Sequence, residues 1–164
     1  MSWYNFFKLL HILSVVMMVG GMFARQVVRG LAKKSDDIKA IESLTKAAMR
    51  LDRAMVIPGG NLVLVFGIIL AVMLKWPIFG FLQGASQNWL LVSNILLILA
   101  MVLVGGVFIP YNKRLDSIIQ ADLAHGQASP KLSAALNDRT NKWAHLIEEI
   151  DVIAIAALMV LKPF

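Results

Sequence analysis

The sequence predicts an all-α integral membrane protein: a four-helix bundle with cytoplasmic helical extensions and both termini outside. Three observations lead there. Of the 164 residues, 59% are apolar and 16% charged, against ~45–50% and ~25% in an ordinary globular domain. Long uncharged runs recur at the length a bilayer requires. The lysines and arginines collect on the connections that alternate with those runs. One domain accommodates the chain, at ~100–200 residues per domain. With no cysteine and a mean hydropathy of +0.72, a disulfide-stapled scaffold, a zinc ribbon and a disordered chain are excluded.

A hydrocarbon core of ~30 Å needs ~20 helical residues. Residues 9–24 carry no charge, and the first span (about 3–25) reaches back to Trp3 if Lys8 snorkels to an interface. Residues 54–74 and 89–112 are uncharged, giving spans of about 54–76 and 89–111. The fourth, about 143–162, is purely apolar only over Val152–Leu161 and carries Glu148, Glu149 and Asp151 ahead of it. Its acids therefore require partners. No alternating ten-residue pattern supports a barrel, and open sheet edges cannot face lipid.

Residues 25–53 hold eight lysines and arginines and residues 113–142 hold five, against Lys8, Lys75 and Lys162 elsewhere. By the positive-inside rule both long connections are cytoplasmic. This distribution accounts for the net charge of +6 without nucleic acid, for which no base-reading or stacking residues are visible. Met22 and Ala24 before Arg25 make a poor small-x-small cleavage site, so the first helix reads as retained. Ser35-Asp36-Asp37 reads as a helix start. Ile38, Ile41, Leu44, Ala48 and Leu51 then hold a helical stripe, with Glu42 and Lys46 paired at i, i+4. Pro58-Gly59-Gly60-Asn61 should kink or loosen the second span. Gly126 should end a helix near His125, and Ser129-Pro130 should start the one that enters the fourth span. Trp3, Trp76, Trp89 and Trp143 fall at span ends, as an aromatic belt requires.

Polar residues within spans are functional candidates by default. His11 lies ~12 Å below the outer edge, counted at 1.5 Å per residue from Trp3. Lys8 is one turn above it, and Ser93 and Asn94 enter at a comparable depth from the third span. Three readings of His11 stand together: a haem or tetrapyrrole ligand, a metal ligand, or a histidine hydrogen-bonded to Asn94 or Ser93 that holds two helices together. His145, Glu148, Glu149 and Asp151 form a second group. Its readings are a structural ion cluster neutralised by Arg25 and Arg29, with Arg50 and Arg53 as further candidates, or a proton relay. A di-iron site fails, because the other spans supply no Glu or Asp. A depth gap of ~15 Å keeps His11 and His145 from sharing one iron. Gly20, Gly21, Gly67, Gly105 and Gly106 permit close helix contact or a flat cofactor equally. No phosphate loop, cysteine nucleophile or serine-based triad is present.

Lys8-Leu9-Leu10-His11 followed by Gly20-Gly21 and an arginine resembles small bacterial four-helix membrane proteins, among them the HemJ-type protoporphyrinogen oxidases and the CopD-type membrane domain. The whole chain is most similar to a domain-of-unknown-function branch of that group. The resemblance extends to the Pro58–Gly67 stretch and to Trp89 opening the third span. It implies haem b at His11, a place in the bacterial inner membrane as a multi-pass protein, and electron exchange with membrane quinone. Where the HemJ-type pattern has a third-helix lysine, this chain has Ser93. The alternative expectation is a non-enzymatic accessory subunit, its polar residues fixing helix packing and its basic face meeting anionic lipid or a protein partner.

Overall fold

The computed structural model describes residues 2–163. Helix makes up 85% of it, and no strand occurs among the described residues. The helices are α1 (Trp3–Lys33), α2 (Ile38–Leu51), α3 (Ile57–Met73), α4 (Trp89–Leu103), α5 (Ile109–His125), α6 (Pro130–Leu136) and α7 (Arg139–Leu161). A π turn, Asp52–Val56, joins α2 to α3, and another, Val104–Phe108, joins α4 to α5. Two unbroken helices result, Ile38–Met73 of 36 residues and Trp89–His125 of 37. Among the described residues, these and α1 are the three helices long and apolar enough to cross a membrane. The contacts divide the chain into two compact units, residues 1–75 with 116–136, and residues 76–115 with 137–164.

Both π turns have the same cause. Each ends two residues before a proline, in Val56-Ile57-Pro58 and Phe108-Ile109-Pro110. A proline inside a helix lacks the N–H for its i−4 bond and crowds the carbonyl one turn back. Widening the preceding turn relieves that crowding without breaking the helix. The Ile57 N–H then reaches back five residues to the Asp52 carbonyl, and the Ile109 N–H to that of Val104. The expected loosening at Pro58 is therefore a π turn ahead of it.

In the first unit, α1 packs antiparallel along the π turn and α3, and the contacts run in one register. The Phe7 and Phe66 ring centroids are 6.3 Å apart, His11 faces Gly67, Met18 faces Gly59 and Gly60, and Gly21 faces Met55 and Val56. Two points are tight: a Cβ at Gly59 would lie 2.9 Å from both the Cβ and the backbone N of Met18, and one at Gly21 would lie 2.7 Å from the Met55 Cβ. Of the five glycines singled out in the sequence, Gly21 and Gly67 serve such a contact. A Cβ at Gly20, Gly105 or Gly106 would meet nothing within 4 Å. Leu9, Ile12, Leu13, Val16, Phe23, Val27 and Leu31 form the exposed apolar face of α1. Ser14 and Arg25 lie on its buried face. Polar groups inside and hydrocarbon outside reverse the water-soluble pattern and suit a lipid solvent.

Capping refines the expected boundaries. Asp37, rather than Ser35, caps α2: its carboxylate accepts from the Lys39 N–H at 3.0 Å, while Ser35 Oγ accepts from the Asp37 N–H. The buried stripe of α2 is Ile38, Ile41, Thr45 and Ala48. Gly126, at φ 73°, ends α5, and Ser129 Oγ accepts from the Leu132 N–H at the start of α6. The expected single helix from Pro130 is instead two. Asp138 Oδ1 accepts from the Asn141 N–H at 2.8 Å and starts α7 afresh.

In the second unit α4 packs on α7. The Trp76 and Trp89 rings meet edge to face at 5.0 Å, and Lys162 Nζ sits 4.2 Å from the Trp76 centroid. Trp89 is thus a core residue, 2% exposed, rather than a member of a lipid-facing belt. It is buried because Trp76 and Lys162 close over it.

Gly59→Ala is expected to lower stability by about 1–3 kcal/mol through overpacking against Met18, while Gly60→Ala, with only the flexible Met18 Sδ at 3.6 Å, costs nothing. Unfolding titrations in detergent would compare the two. Outside the spans, the Lys46 ammonium bonded to Glu42 holds that carboxyl below the usual carboxylate range. Its contribution to stability is therefore present above the unfolded carboxylate value and is lost as pH falls through the lower folded value. Carbon-13 NMR should find Glu42 titrating at lower pH in the wild type than in Lys46→Met.

Candidate functional site

Two polar places within the long helices meet the requirements of a site. The first is on α1. The His11 ring lies across α3, with Cε1 3.3 Å and Nδ1 3.7 Å from where a Gly67 Cβ would be. A Cβ at this position would make the imidazole give by a few tenths of an ångström. Nδ1 is a buried atom without a hydrogen-bond partner among the described residues. With the Nδ1–Cε1 edge turned onto α3, Nε2 is the nitrogen left for a ligand. His11 as a whole is half-buried.

The residues expected around His11 have local roles. Lys8 Nζ lies 5.8 Å from the Tyr4 ring centroid, one turn up α1. Ser93 and Asn94 belong to the second unit. Ser93 Oγ donates to the Trp89 carbonyl at 2.8 Å, and Asn94 Nδ2 donates to that of Ile78 at 3.4 Å. Both hydrogen bonds serve the α4 N-terminal turns and the segment before them.

At the far end of the α1 seam, Arg25 donates from Nη1 to Asp52 Oδ1 at 2.7 Å, and Arg29 donates from Nη2 to Asp52 Oδ2 at 3.2 Å. Arg25 is 1% exposed, so its charge is held out of water, and one carboxylate bridges both guanidinium groups. Asp52 was absent from the expected ion cluster. It stands between Arg50 and Arg53, which were the further cationic candidates for that cluster. The first position of the π turn brings it to α1.

The second place is the buried face of α7, made by Asn141, Ala144, His145, Glu148 and Asp151. His145 Nδ1 and Glu148 Oε2 are 3.2 Å apart. The ring stacks on Phe108, the last residue of the second π turn, with centroids 4.3 Å apart and planes at 12°. Glu149 is half-buried, so Asp151 rather than Glu149 extends the His145–Glu148 face. The opposite face exposes Trp143, Leu146, Ile147, Ile150, Ile153 and Val160. Among the described residues no group of three or more histidine, cysteine or acidic side chains is arranged to hold a metal.

With the apolar outside and polar inside of these helices established, the comparison with protein families is decisive. The model for a predicted integral membrane protein family, DUF2269, matches residues 5–163. The chain belongs to the DUF2269 family. No curated protein and no solved structure matches this DUF2269 chain.

Removing the shared carboxylate tests the α1 seam. Asp52→Ala is expected to cost about 3 kcal/mol, the scale for breaking a buried ion pair. A double-mutant cycle with Arg25→Ala, read by unfolding in detergent, should return a coupling above about 1 kcal/mol.

Proposed function

We propose that this DUF2269 chain is a haem b- or tetrapyrrole-binding redox protein of the bacterial inner membrane, with His11 as axial ligand. The observation that carries the reading is the seating of His11. Gly67 admits the imidazole edge, Nδ1 is buried against α3, and Nε2 is left for coordination. Haem b, when bound, supplies one-electron chemistry, for which membrane quinone is the fitting partner. His11 would hold the group through Nε2. Phe7 and Phe66 supply apolar surface one turn away and help exclude water. The resemblance of the first span to the HemJ-type proteins, which implies haem b at His11, supports the same reading.

The same reading takes α7 as a fourth span. Its 23 residues reach ~34 Å at 1.5 Å per residue. Its exposed side is apolar, while its charged residues in the middle turns lie on or beside the buried side. Both termini are then outside and the two basic connections cytoplasmic.

A second reading, a non-enzymatic accessory subunit, is favoured by one observation: His11 also fills the Gly67 notch as a packing residue. The two differ in colour. Absorption spectra of the detergent-purified protein, expressed with ample haem, should show a Soret band that sharpens on reduction and is lost in His11→Ala without unfolding. A colourless, folded wild type whose His11→Ala variant only melts earlier would replace the redox reading with the accessory one.

A further inference from the structure

We infer that Asp151 is a proton-binding site within the membrane, midway along α7. This rests on α7 being a fourth span and is independent of haem at His11. Asp151 is 5% exposed, and neither of its carboxylate oxygens has a hydrogen-bond partner among the described residues. It lies ~18 Å from the start of α7 and ~15 Å from its end, at 1.5 Å per residue. Water at either surface is therefore out of reach of its oxygens. A charged carboxylate in that position carries a large desolvation cost, and no donor among the described residues offsets it.

The neighbours make the charge harder to hold. Glu148 is one turn before Asp151 on the same buried face and repels it. Its Oε2 is already engaged by His145 Nδ1, so the imidazole sits beside Glu148, with its ring against Phe108. The elements packed on α7 within the unit are α4 and the turn Val104–Phe108, and neither contains a titratable or charged residue. Ionisable side chains resume only at Tyr111, Lys113 and Arg114 on α5. A cation is what the carboxylate lacks. A hard metal ion needs about six oxygen ligands, and the carbonyls of a continuous helix are committed to its own hydrogen bonds. A proton needs one oxygen. Asp151 therefore takes and releases a proton, with Glu148–His145 one turn away as the adjoining polar pair on the same face.

The test is modification by dicyclohexylcarbodiimide, an apolar reagent that attacks protonated carboxyl groups, on the full chain in bilayer vesicles, mapped by mass spectrometry. Asp151 should be modified, with the yield falling about tenfold per pH unit once the group ionises. Glu148 should stay unmodified, and Asp151→Asn should lose the adduct. The wild-type map alone decides the matter if that variant does not fold. Absence of an adduct at Asp151 at any pH, or an adduct at Glu148 instead, overturns the assignment. So does protection by sodium at constant pH, which would mark a metal-cation site. Modification by a water-soluble carbodiimide from the aqueous phase would instead show that α7 is not a span, a failure distinct from that of the proton site.

Discussion

The close approach of α1 to α3 at Gly59 and Gly67 is the constraint on which the first unit depends. Lipid tails are as apolar as leucine, so burying apolar surface gives two spans little reason to associate. What remains is packing contact and the satisfaction of polar groups away from hydrocarbon. At Gly59 the Met18 backbone comes within contact of α3. One turn or two in either direction, the same register aligns His11 with Gly67 and Arg25 with Asp52. The glycines set the distance, and the ion pair toward the C-terminal end of α1 fixes the register.

The prolines enter the same arrangement from the other side. A helix carrying Pro58 without adjustment would crowd its own backbone next to the close Gly59–Met18 contact. The π turn moves that strain one turn toward the N-terminus, and Asp52, its first residue, becomes the partner of Arg25 and Arg29. In the second unit Pro110 has the same effect, and Phe108, the last residue of its π turn, is the ring on which His145 stacks. Two unrelated polar contacts thus begin or end on the same backbone irregularity, as π turns often do at functional positions.

Much of this was legible in the sequence. Uncharged runs located the long helices, because hydrocarbon excludes charge whatever the side-chain details. His11 stood out as a polar residue in an apolar run, and the Glu42–Lys46 spacing announced its own contact. Asp52 did not stand out, since a carboxylate among arginines looks solvated until a partner 27 residues away is brought to it. The role of Gly59 was hidden in a proline-glycine cluster that reads first as a helix breaker. Ser93 and Asn94 drew attention by being polar at the right depth, yet local carbonyls take up their donors. Depth is readable from residue counts; which way a side chain turns depends on a neighbour the count does not contain.

The π turns have a consequence for how this chain would meet a change in length. Each holds one residue more than an α turn would need, and the extra residue is taken up within the turn, so the flanking helices keep nearly their α register. Deleting one of the residues 53–56 would let the helix close into regular α geometry with Asp52 still near the α1 seam and Gly59 and Gly67 in place. What the closed turn would lose is the room for Pro58, whose ring would meet the carbonyl one turn back. A shortening there would have to take the proline with it.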